Sequence, residues 1–140
     1  MSRFRPAYHA AVLTAALSLS ACATVGPRTC PPGATSGETA QLFFGRNIAG
    51  APGVSDADWR AFVDAEITPH FPDGLTVLDA AGQWRGASGA VEREASKVVV
   101  LILSGAADEE SRLAAIRAAY KTRFSQEAVL LVRQKACVAF

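Results

Sequence analysis

The strongest pattern in the chain is Val98-Val99-Val100-Leu101-Ile102-Leu103, six consecutive apolar residues, four of them β-branched, between Lys97 and a closing Ser104-Gly105. A run this short and this β-branched predicts a strand buried on both faces rather than a helix. Upstream, Thr39 to Arg46 alternates, with Ala40, Leu42 and Phe44 on one side and Gln41, Phe43 and Gly45 on the other, which predicts a first strand. Asn47 to Val54 carries Gly50, Pro52 and Gly53 and reads as a flexible loop. Ser55-Asp56-Ala57-Asp58 predicts a helix start, with Ser55 as cap and Asp58 in the capping-box position. Trp59, Phe62, Val63 and Ile67 follow at helical spacing as one apolar stripe, and Pro69 and Pro72 end the helix.

Asp73-Gly74 predicts a turn, and Leu75 to Asp79 a short second strand reaching towards Gln83-Trp84. Gly82, Gly86, Gly89 and the charged Glu92-Arg93-Glu94 then predict a long connection into the strand at Val98. A second helix is expected over Ala106 to Phe124, with Asp108, Glu109 and Glu110 at its start, Lys121 and Arg123 at its end, and a stripe of Leu113, Ile116, Tyr120 and Phe124. Val129 to Val132 predicts the last strand, with Arg133, Gln134 and Lys135 leading out to Cys137.

The element order β-α-β-β-α-β points to an α+β fold of the ferredoxin-like, or split βαβ, kind. Right-handed crossovers then place the strands in the spatial order 4-1-3-2, antiparallel between neighbours, with two helices on one face of the sheet. The alternative is another α+β sandwich with a different strand order.

The first residues read as an address. Arg3 and Arg5 form a basic start, Ala10 to Leu19 is a short apolar stretch, and Leu19-Ser20-Ala21-Cys22 resembles the lipobox of bacterial lipoproteins. This predicts a lipoprotein signal peptide over 1–21, lipidation at Cys22, a Pro- and Gly-rich tether over 22–37 and a single α+β domain over 38–140. An ordinary secretory signal cut near Ala21 or Ala23 is the alternative. Ala23, rather than an Asp, follows the Cys, so the expected location is the periplasm, lipid-anchored to the outer membrane.

The chain has 140 residues, 14 basic and 13 acidic, and a formal net charge of +1. Removing 1–21 takes away Arg3 and Arg5, leaving 14 − 2 = 12 basic against 13 acidic residues. Such a balance argues against a nucleic-acid partner. Histidine occurs only at 9 and 70, so no metal site and no cofactor are expected. Cys30 and Cys137 bracket the domain, and in the expected topology the start of the first strand lies beside the end of the last. A structural disulfide in an oxidising compartment is therefore expected, ahead of a reactive role for either thiol.

Most carboxylates serve helix starts or turns, His70 between prolines suits a helix end, and no phosphate loop or nucleophile elbow occurs. One grouping is positional. The expected topology gathers Arg46, Asn47, Gln83, Trp84, Arg85, Glu92, Glu94 and Gln126 at one end of the sheet. Arg46, Asn47, Gln83, Trp84 and Arg85 are the candidate ligand-binding residues, set against the plainer alternative of Trp84 packing on Phe43 beside solvent-exposed ion pairs.

Phe71-Pro72-Asp73-Gly74-Leu75-Thr76-Val77, Gly82-Gln83-Trp84-Arg85-Gly86, Ser96-Lys97-Val98, Arg123-Phe124-Ser125-Gln126-Glu127 and Ala136-Cys137-Val138 resemble a family of small bacterial lipoproteins or secreted proteins known only as a domain of unknown function. The resemblance covers about residues 38 to 140. It implies a single periplasmic domain and brings no reaction, cofactor or catalytic residue.

Two functions follow as expectations: a non-catalytic periplasmic module that binds a small ligand or envelope protein, or a small ferredoxin-like enzyme acting on a small periplasmic molecule. The expected partners are the membrane, through the lipid anchor, and a second copy of the chain. The helices can cover only one face of the sheet, while the run at Val98 is apolar on both. A homodimer, the tether or the long connection must cover the other face.

Overall fold

The structure, a computed structural model, describes residues 29–85 and 89–140. The expected signal peptide over 1–21, the expected lipidation site Cys22 and most of the expected tether lie outside the described residues.

Four long strands form one antiparallel sheet: β1 (Thr35–Gly45), β4 (Thr76–Arg85), β5 (Val91–Leu103) and β6 (Leu130–Val138), in the spatial order β4-β5-β1-β6. Counting only these four, the order is the expected 4-1-3-2. A small separate hairpin, β2 (Asn47–Ile48) and β3 (Ala51–Pro52), stands where a flexible loop was expected. Helix α1 (Asp56–Phe62) continues into a wider turn over Val63–Ile67, and α2 spans Glu109–Phe124. This is an α+β fold.

The expected long connection between the second and third long strands does not exist. Strand β4 runs to Arg85 and β5 begins at Val91, so the two make a long hairpin arm paired from Thr76↔Val100 to Arg85↔Val91. The outer half of that arm shows no apolar alternation. Gly82 and the charges Glu92, Arg93 and Glu94 masked a strand held by ladder hydrogen bonds and not by burial. Strand β1 starts four residues earlier than expected, inside the reach assigned to the tether. Strand β6 runs on to Val138, placing Arg133, Gln134, Lys135 and Cys137 within the sheet. Cys30 and Cys137 form a disulfide with their Cα atoms 5.4 Å apart, beside the pairing Ser36↔Cys137.

The start of α1 follows its local sequence. Ser55 Oγ accepts from the Asp58 amide at 3.1 Å, and the Asp58 carboxylate accepts from the Ser55 amide at 3.3 Å, a reciprocal cap. The hydrogen bond from the Ser55 side chain, with help from its amide, holds the Asp58 carboxyl below its ordinary range. At the other end the Thr68 amide donates to the Val63 carbonyl at 2.9 Å, five residues back. The turn is one residue wider than an α-helical one, and Phe62 and Ile67, five residues apart, are both fully buried. His70 sits at the helix end as expected, its Nδ1 against the Glu66 carbonyl at 2.7 Å.

Both helices pack on one face of the sheet. Ala40, Leu42 and Phe44 of β1 and Val99, Leu101 and Leu103 of β5 meet Trp59, Phe62, Leu113, Ile116, Tyr120 and Phe124 in one core. Tyr120 is the hub, its ring centroid 4.7 Å from Phe44, 4.9 Å from Phe62 and 4.8 Å from Phe124. Its hydroxyl donates to the Gly45 carbonyl at 2.8 Å, and burial pushes its pKa up. At the start of α2, Glu109 is buried. Burial alone would raise its pKa, but hydrogen bonds from the Ser104 hydroxyl and amide and the Gly105 amide outweigh that and hold it below the ordinary value.

Candidate functional site

The end of the sheet where β1 leaves the core is shaped by one glycine. A Cβ on Gly45 would stand 2.5 Å from both Glu94 carboxylate oxygens. With hydrogen there instead, Glu94 lies against the strand and accepts from the Asn47 amide at 3.2 Å. The same glycine's carbonyl takes the Tyr120 hydroxyl, so the aromatic core and this end of the sheet are joined through one residue.

Asn47 is the knot that follows. Its side chain donates to the Arg93 carbonyl at 3.2 Å, and its carbonyl accepts from the Gln126 amide at 2.5 Å. The hairpin arm, the β1 exit and the loop before β6 are thereby tied together. Between them lies an open cavity of about 620 Å³ lined by Phe43, Gly45, Asn47, Gly82, Gln83, Trp84, Glu92, Glu94, Ser96, Arg117 and the stretch from Gln126 to Leu131. That volume falls within the range of small-molecule sites, roughly 300–1,000 Å³. Trp84 is 49% exposed at its rim. Glu92, Glu94 and Glu127 face it against one cation, Arg117, whose Nε donates to the Val129 carbonyl at 3.0 Å.

Of the five residues expected to bind a ligand, three border the cavity: Asn47, Gln83 and Trp84. Two do not. Arg46 turns towards the helices, where its guanidinium donates to the Val54 carbonyl at 2.8 and 2.7 Å and pairs with Asp56 at 3.0 Å. It staples the β2–β3 hairpin and the start of α1. Arg85, one residue beyond Trp84, alternates to the opposite face of the arm and donates to the Gly89 carbonyl at 3.0 Å across the hairpin end. Glu92, Glu94 and Gln126, expected at this end, do line the cavity. Sequence reading missed Gly45, Phe43, Ser96 and Arg117. The close approach at Gly45 leaves no mark in the sequence beyond a glycine at a strand end.

Asp79 stands within β4, ion-paired with Lys97, whose hydrogen bond lowers its pKa; Lys97 also reaches Asp56 at 3.6 Å. Among the described residues no group of three or more His, Cys, Asp and Glu side chains is arranged to hold a metal ion. Among them, too, no helix is long and apolar enough to cross a membrane.

The profile of a family described as protein of unknown function (DUF3574) matches residues 39–140. The chain belongs to this family. No curated protein matches the DUF3574 chain. Among solved structures, it is similar to a phage SAM lyase in complex with S-methyl-5′-thioadenosine, at 18% identity and a TM-score of 0.60, covering 81% of this chain and 95% of that one. The same lyase in its apo state matches at 18% identity and a TM-score of 0.57, over 75% and 90% of the two chains. CutA from Synechococcus elongatus matches at 10% identity and a TM-score of 0.48, over 74% and 80%. The likeness to the lyase is one of fold.

Proposed function

We propose that this DUF3574 protein is a lipid-anchored periplasmic binding module of ferredoxin-like build, whose cavity takes a small ring-bearing molecule with cationic or donor-rich character. The cavity itself carries the reading. An indole face at the rim attracts a flat or cationic group, and three carboxylates against one guanidinium favour positive charge and N–H or O–H donors. Asn47 and Gln126 are spent on holding the walls, and Gln83 alternates to the other face of the arm, so recognition falls to Trp84 and Glu92. The similar lyase is in complex with S-methyl-5′-thioadenosine, a ring-bearing and donor-rich molecule, and that nucleoside is the first probe.

Titration of the full chain with S-methyl-5′-thioadenosine, followed by tryptophan fluorescence, tests the site. Trp59 is buried in the core and Trp84 is half exposed, so a saturable change reports on Trp84. Trp84→Ala, which removes that reporter and is therefore titrated by calorimetry beside the wild type, should weaken binding by roughly 5- to 160-fold, since stacking on an aromatic face contributes about 1–3 kcal/mol. No saturable change with the wild-type chain overturns the assignment of this ligand class. The second reading, a small enzyme acting on a periplasmic molecule, draws on the likeness to a SAM lyase; conversion of SAM by the purified chain would favour it over binding alone.

The envelope location rests on Leu19-Ser20-Ala21-Cys22 and on a disulfide suited to an oxidising compartment. Cys22→Ser should move the protein from the membrane to the soluble fraction. A wild-type chain already soluble after fractionation rejects the anchor.

A further inference from the structure

Strand alternation divides the charges of the sheet unevenly. Glu38, Arg133 and Lys135 near one end, and Asp79, Lys97, Arg85 and Arg93 towards the other, all stand on the helix-bearing face. The face without helices carries only Glu92 and Glu94, both beside the cavity. The rest of it is apolar or neutral, with Val98 and Phe43 at its centre and Leu78, Ile102 and Leu130 respectively 50%, 46% and 55% exposed; Phe43 and Leu130 also border the cavity, which opens at the end of this same face. Val98 is buried, yet it is outside the core that the helices close. A half-solvated antiparallel sheet normally places its charges outwards. Here the outward face is the one depleted of charge, the composition found at the centre of protein interfaces.

We infer that a second copy of the chain packs face to face on this sheet. The other candidate covers within the described chain are gone. The long connection is a hairpin arm that forms part of the face. Pro31, Pro32 and Gly33, which lead into β1, are themselves exposed, and the bridge at Cys30 holds that segment at the strand ends. The size suits a pair. Four strands about 4.8 Å apart, each presenting about nine residues at about 3.3 Å, offer roughly 570 Å². That is of the order of the roughly 800 Å² per partner in a stable complex. Two such sheets stack about 10 Å apart, and a twofold pairing sets the same patch against itself.

Val77 and Leu78 separate this interface from a general effect of surface charge. They are neighbours on the edge strand β4, 37% and 50% exposed, and they point to opposite faces. Sedimentation of the full chain carrying Cys22→Ser, which removes the anchor, should give twice the chain mass at micromolar concentration. Adding Val77→Lys should leave the dimer intact. Adding Leu78→Lys or Ile102→Lys should yield a monomer with unchanged circular dichroism and an intact Cys30–Cys137 bridge. A monomeric parent chain overturns the inference, as does a dimer that survives both Leu78→Lys and Ile102→Lys.

Discussion

Cys137→Ser should lower the unfolding free energy by about 2–4.7 kcal/mol, the upper figure being the chain-entropy value for closing a loop of this length. The bridged residues are 107 positions apart, so the cross-link removes freedom from nearly the whole unfolded domain. Its native cost is small, because β1 and β6 already pair Ser36 with Cys137 and hold the two chain segments side by side. The ladder remains after reduction, so the variant should keep its strands and its circular dichroism. Against a total stability of about 5–15 kcal/mol the loss is nonetheless large. Urea denaturation checks it. Cys30→Ser, Cys137→Ser and the wild type under reducing conditions should share one midpoint, well below that of the oxidised wild type. An unchanged midpoint on reduction means that the bridge contributes nothing to stability.

Tyr120→Ala should cost about 3–5 kcal/mol, in the range for emptying a large aromatic site in a core. The ring touches Phe44, Trp59, Phe62 and Phe124, contributed by β1, α1 and α2, so its loss opens a void where strand and helices meet. None of these neighbours can collapse into it without moving its own element. Tyr120→Phe separates packing from hydrogen bonding. It keeps the ring and leaves the Gly45 carbonyl without the donor that reaches it at 2.8 Å, at a cost of about 1–2 kcal/mol. Because Gly45 also seats Glu94, the Phe variant should disturb the cavity more than its stability loss suggests. Equilibrium denaturation of both variants gives the two values. Equal losses in Ala and Phe would mean that the hydroxyl, rather than the ring, holds this corner.

What the sequence by itself determined is local or strongly periodic. The strand at Val98, the Ser55 cap, the apolar stripes of both helices and the strand order depend on nearest-neighbour chemistry and on connection handedness, and all are legible in residue spacing. The position of Cys30 beside Cys137 followed from that order. The hairpin arm was not legible, because its outer strands bury little and are specified by pairing with each other across the sheet. The site was half legible for a related reason. Topology does bring Arg46, Asn47, Trp84 and Arg85 to one end, but a strand turns its side chains alternately to two faces. Only the register sends Trp84 to the cavity, Arg46 to the Val54 carbonyl and Arg85 to Gly89. The seat of Glu94 on Gly45 is likewise a contact between strands, 49 positions apart in sequence and adjacent in space only once β1 and β5 have paired. Local physics wrote the elements, and the tertiary structure decided which side of the sheet each polar group would serve.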